Sequence, residues 1–168
     1  MFQRTMSAVM VLAFVPLAWL GGCEASMSEP EAVANVATQL DKMVASMKAK
    51  FPKKEFTDKK EEPKHAMKVM NEMRDGFHSI KVSQCPAEFQ TAWKDYVKSM
   101  DQMFDLMGDM QKAQDGKDSP DKGMEMLGKL MATGMAVAAS QQKVAEIGEK
   151  YSPGFTKRLE SINVDDKD

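Results

Sequence analysis

Phe89, Trp93, Tyr96, Met100, Met103, Met107 and Met110 follow one another at alternating spacings of four and three residues. A period near 3.5 places all of them along one side of a helix, whereas a half-buried strand would need strict alternation. This segment is therefore a long amphipathic helix that must cover one face with other helices. Pro86 precedes it, suited to a first position where the missing N–H removes no hydrogen bond.

The rest of the chain repeats the same pattern. Ser28 and Glu31 have the spacing of a capping box ahead of the stripe Val33, Val36, Leu40, Met43, Met47 and Phe51, which Pro52 ends. Residues 52–62 are dense in both charges and read as a loop. A second helix starts near Pro63, with Ala66, Met70, Met73, Phe77 and Ile80 on its apolar face and Met67 beside them. The run from Asp115 to Asp121 predicts a turn, with Ser119 as cap and Pro120 as first residue of a fourth helix. Its wide apolar face takes in Met124, Leu127, Leu130, Met131, Val137, Ala138, Val144, Ile147 and Tyr151. Ser152-Pro153-Gly154 breaks it, and Phe155, Leu159 and Ile162 predict one short docking helix.

Short connections between successive amphipathic helices favour antiparallel neighbours. The expected fold is all-α: an antiparallel up-down-up-down four-helix bundle with a short C-terminal helix, over residues 31–162, followed by an acidic tail at 163–168. That topology gathers Met43, Met47, Met67, Met70, Met73, Met103, Met107, Met110, Met124, Met126 and Met131 at or towards one end. Val33, Val36, Phe77, Ile80, Phe89, Trp93, Tyr96, Val144, Ile147 and Tyr151 fall at the other.

Ahead of the bundle, Arg4 is followed by the apolar run Met6 to Leu20, and then by Leu20-Gly21-Gly22-Cys23. The run is shorter than the roughly 20 residues that span a bilayer, and Pro16 interrupts it. This segment resembles the lipobox of bacterial lipoproteins. The resemblance, confined to residues 1–23, implies that residues 1–22 are a signal peptide and that Cys23 carries a thioether-linked diacylglycerol. Membrane lipid is then a partner through acylated Cys23, and the mature protein is extracytoplasmic and membrane-anchored. In Gram-negative members of the family, a residue other than aspartate after the cysteine directs the protein to the outer membrane, facing the periplasm; here it is Glu24. An ordinary signal peptide and a retained anchor are the competing readings. With a tether of residues 23–30, the start of the first helix faces the membrane and the methionine end points away.

Removing residues 1–22 takes away Arg4 and no acidic residue, so the net charge of −2 becomes −3. Such a chain lacks the basic field that nucleic-acid binding requires. With Cys23 acylated, Cys85 has no cysteine partner within the chain.

The mature chain holds 14 methionines and five leucines. Thioethers are soft ligands that select Cu(I). Met67-x-x-Met70-x-x-Met73 and Met107-x-x-Met110 have spacings that place neighbouring sulfurs on one helix face, a spacing also seen in exported copper-binding proteins. Met67, Met70, Met107, Met110 and Met124 are the candidate Cu(I) ligands, with His65 in support. Against this stand two plainer readings: methionine replacing leucine as core filler, and an adaptable apolar pocket.

Other cofactors fit less well. Haem has no CxxCH attachment motif, and the only histidines are His65 and His78. A di-iron site would need Glu-x-x-His motifs on two helices plus two further glutamates; Glu62-x-x-His65 and Asp75-x-x-His78 share one segment. Cys85 is a free thiol beside a helix N-terminus, a setting that can favour thiolate, with His78 as the only sequence-near base; the leading reading is an inert, half-buried thiol, ahead of an intermolecular disulfide, a soft ligand or a redox group. The cluster of lysines from Lys48 to Lys64 is interspersed with acids and reads as a solvated loop. Gly134, Ala136, Ala138 and Ala139 make the fourth helix slender. The expectation is a non-enzymatic binding or scaffolding lipoprotein at the cell envelope, with an envelope protein as partner. Cu(I) binding at the methionine end is the first alternative and thiol redox chemistry at Cys85 the second.

Overall fold

Ser28 donates both its backbone N–H and its Oγ–H to the Glu31 carboxylate, at 2.9 and 2.8 Å. That closes the exposed first turn of α1 (Glu29–Lys50) as the sequence spacing predicts, and the two donors hold the Glu31 carboxyl below its ordinary pKa. A computed structural model of the chain describes residues 27–52, 61–114 and 120–162. The lipobox, Cys23 and Glu24, the Ser119 cap and the acidic tail at 163–168 lie outside the described residues.

Four further helices follow: α2 (Glu61–Ser79), α3 (Ala87–Gln114), α4 (Pro120–Tyr151) and the short α5 (Phe155–Glu160). Among the described residues there is no strand. Proline and glycine set the boundaries, as expected. Pro52 follows the Phe51 cap of α1, and Pro86 lends its carbonyl to Gln90 N–H in the first turn of α3. At Gly154 the chain turns with φ +84°, a conformation that suits a residue without Cβ. The Glu149 carboxylate accepts the N–H groups of Gly154 and Thr156 at 2.7 and 3.0 Å, tying the end of α4 to the start of α5.

α3 packs along α4, α2 lies against α3, and α1 touches α2, α4 and α5. Named pairs mark the contacts. Gln39 on α1 accepts the N–H of Lys81 just past α2, while the Phe51 ring at the end of α1 meets His65 near the start of α2. Between α2 and α3, His78 pairs with Asp101 and Arg74 with Asp105. Between α3 and α4, Glu88 accepts from Tyr151 and Ser99 bonds Ser140.

One buried cluster draws on all five helices. Val33, Val36 and Leu40 of α1 meet Phe77 of α2, Phe89, Trp93 and Tyr96 of α3, Val144 of α4, and Phe155 and Leu159 of α5. Phe89 stacks on Trp93 and takes the edge of Phe155 at 5.4 Å between centroids. Val33, Val36, Phe77, Phe89, Trp93, Tyr96 and Val144 are residues assigned to the non-methionine end; Leu40, Phe155 and Leu159 join them in the packed part of the molecule.

The structure departs from the predicted core in four places, the first being Ala66, which is exposed on α2. Met107 is 41% exposed, and buried Phe104 takes the inward position in that turn of α3. A helix turns slightly less per residue than a strict 3.5-residue repeat requires, lagging by about 20° per heptad, so the stripe drifts away from the contact over several turns. On α4, the wide predicted face divides: Val144 and Ile147 are buried, whereas Met124, Leu127 and Met131 are exposed. Finally, methionine is not the main core filler. Met47 is the only methionine among the described residues in the buried set; Met43, Met70, Met73 and Met100 pack half-buried against its edge.

Candidate functional site

α2 presents different faces to its two neighbours, and this decides where its methionines go. Each three-residue step turns a helix by roughly 300°, so Met67, Met70 and Met73 rotate back by about 60° at each step. Met67 points to α3, where its methyl lies 3.6 Å from the position a Cβ would take on Gly108. Met73 points to α1. A four-residue step keeps direction better, so Met43 and Met47 on α1 stay together, as do His65, Val69 and Met73 on α2.

These side chains line one cleft of about 260 Å³ between α1, α2 and the segment after α5. Met43, Met47, Val44 and Phe51 come from α1 and its cap, His65, Val69 and Met73 from α2, and Ile162 from beyond α5. Lys48 and Pro52 reach its rim. The His65 ring stands edge-on to Phe51 at 5.5 Å. On the far side of Met43 and Met47 a second groove of about 420 Å³ is walled by Gln39, Lys42, Glu72 and Asp75. Met43 and Met47 line both grooves.

Gly76 makes this arrangement possible. A Cβ built on Gly76 would stand 2.6 Å from the Met43 sulfur and 2.8 Å from its Cγ. The absence of a side chain there lets Met43 lie flat across α2.

Three thioethers and one imidazole thus share a cleft, a donor set of soft character. Among the described residues no group of three or more His, Cys, Asp or Glu side chains comes together. His78 belongs elsewhere: its Nε2 sits 3.0 and 3.1 Å from the two Asp101 oxygens, beside Arg74. Of the ligands anticipated from the sequence, His65 lines the cleft, while Met67, Met70, Met107, Met110 and Met124 are not among its walls. Met124 is exposed on α4, Met107 is exposed on α3, and Met67, Met70 and Met110 are half-buried. The three-residue spacing points to other methionines; the four-residue spacing of Met43-x-x-x-Met47 is the signal in the sequence that matches this cleft.

Cys85 is a free thiol in the buried cluster. Burial pushes its pKa up to about 11, as suits the inert, buried thiol read from the sequence. Desolvation disfavours the thiolate here. Gln90 fixes the turn by donating to the Cys85 carbonyl at 2.8 Å.

Comparison with protein-family models, curated proteins and solved structures finds no match. Among the described residues no helix is long and apolar enough to cross a membrane.

Proposed function

We propose that this chain is an exported, lipid-anchored helical bundle with a non-enzymatic binding role at the cell envelope, and that its cleft binds Cu(I). The observation that carries the ligand assignment is the convergence of Met43, Met47, Met73 and His65 on one cleft. Thioethers remain neutral ligands at any pH and favour Cu(I) over harder divalent ions, and one imidazole adds a stronger donor. The flexible Met side chains suit the low coordination numbers of this ion. Half-buried His65 and Met73 on α2, with Met43 and Met47 on α1, supply donors from both walls.

The four long helices run up-down-up-down in this reading. Its support is the order of the contacts: along α1, Gln39 and Phe51 meet Lys81 and His65, so one index rises as the other falls. The same reversal holds for α3 and α4, where Glu88 meets Tyr151 and Ser99 meets Ser140. With the lipid on Cys23, α1 begins near the membrane and the cleft lies at the end pointing away from it. There it can accept an ion from, or hand one to, another envelope protein. Cys85 lies in the opposite half and is buried, so the redox alternative gains no support.

Ag(I), a redox-inert substitute for Cu(I), tests the site. Methionine methyl NMR should show Met43, Met47 and Met73 shifting together with the His65 ring, while Met67 and Met110 stay in place. Shifts confined to Met67, Met70, Met107 and Met110 would return the site to the α2–α3 side. Anchoring is tested separately: Cys23→Ser should release the protein from the membrane fraction.

A further inference from the structure

The outer face of α4 is uncovered over three turns. Met124, Leu127, Met131 and Met135 are 78%, 54%, 64% and 68% exposed. Four-residue steps set Leu127, Met131 and Met135 in one row. One position further on, Gly128, Ala132 and Ala136 form a second row, all three exposed. A Cβ on Gly128 would meet nothing within 4 Å, so this second row is an open, flat strip beside a raised one. The opposite side of α4 is held on α3 by the Ser99–Ser140 bond and by Gly134 against Met103.

The face is also nearly free of charge. From Gly123 to Gln142 the only ionic residues are Glu125 and Lys129, and they pair with each other at 2.7 Å. A strongly acidic or basic partner has nothing to recognise there.

We propose that a second copy of this chain occupies this face, with the two α4 helices side by side and parallel. About a twofold axis along the helices, the raised row of each copy meets the flat row of the other. In an antiparallel pair like rows face each other, so Met131 would oppose a methionine rather than Ala132. Interlocking of four-residue ridges on both helices gives a crossing near −50°, and small residues let the backbones approach. Each copy offers on the order of 500 Å² of apolar side chain, so the pair buries about 1,000 Å², at the lower limit for a specific contact. Two copies anchored in one leaflet share their orientation, which permits only an axis along the membrane normal and raises their local concentration. The parallel sense rests on the lipid-anchor reading; the dimer itself rests on the α4 face alone.

The full chain in a Cys85→Ala background tests both parts. Sedimentation in detergent should give a two-chain mass that Met131→Glu, an exposed substitution that leaves the helical circular dichroism unchanged, reduces to one chain. A single-chain mass across the whole concentration range, or a dimer indifferent to Met131→Glu, would overturn the proposal, including the case in which the face meets lipid or a different protein. In membranes, mild oxidation should cross-link Gly128→Cys, Ala132→Cys and Met135→Cys at least tenfold more than Lys98→Cys on α3 or the parent. Cross-linking at only one of the three positions, with the dimer mass intact, would overturn the parallel arrangement and leave the dimer.

Discussion

The Met43 thioether on α1 occupies the volume that a side chain on Gly76 of α2 would fill, its sulfur 2.6 Å from the position of an added Cβ. The contact couples a backbone feature of one helix to the position of a soft donor on another.

Gly76→Ala should separate stability from binding. Alanine gains up to about 1 kcal/mol of helix propensity over glycine, which offsets the strain of displacing a flexible methionine. Stability in urea should therefore stay within about 1 kcal/mol of the parent. Cu(I) affinity should fall about tenfold or more, as when a residue that positions a ligand is lost.

Gly148→Ala should behave differently. A Cβ there would stand 2.3 Å from the Phe155 ring, which is fully buried and cannot swing aside. Overpacking of this kind costs about 1–3 kcal/mol, more than the propensity gain. Unfolding by urea should report the loss, and amide exchange should show α5 loosening first.

Stability should decline in alkali. Burial raises the Cys85 thiol to about 11 and the Tyr96 hydroxyl to about 12. The folded state therefore favours the neutral forms. Their contribution is complete below the ordinary thiol pKa of about 8.5 and is lost as pH rises through the folded values. Urea midpoints measured from pH 8 upward should fall, and Cys85→Ala should fall less steeply. An equal slope would show that the thiol ionises as freely folded as unfolded.

Much of the architecture was legible in the sequence because its signals are local. Ser28 and Glu31, Pro52, Pro86 and Gly154 act on neighbouring backbone, and each ends or begins a helix where the sequence places it. Val33, Leu40, Phe89, Trp93 and Tyr96 entered the core as their spacing requires. What was not legible depends on which neighbour a helix face meets. Met67 and Met73 belong to one MxxMxxM run, yet its backward rotation sends them to α3 and α1 respectively. Leu127 and Met131 look like core by periodicity, and only the three-dimensional arrangement shows that they are exposed. Phe104 escaped notice because the stripe was followed through Met103 and Met107 past the point where it drifts off the contact.

The central claim is that sulfur in the α1–α2 cleft binds Cu(I). Titration of the protein with Cu(I) against a chromophoric Cu(I) chelator, compared with a Met43→Leu, Met73→Leu double variant, tests it most directly. Leucine keeps the apolar volume of the cleft and removes two sulfurs. The parent should take one equivalent of Cu(I) from the chelator, the double variant should do so at least tenfold less well, and Met67→Leu, Met107→Leu should match the parent. A parent that takes no Cu(I), or a cleft variant that binds it equally well, would contradict it.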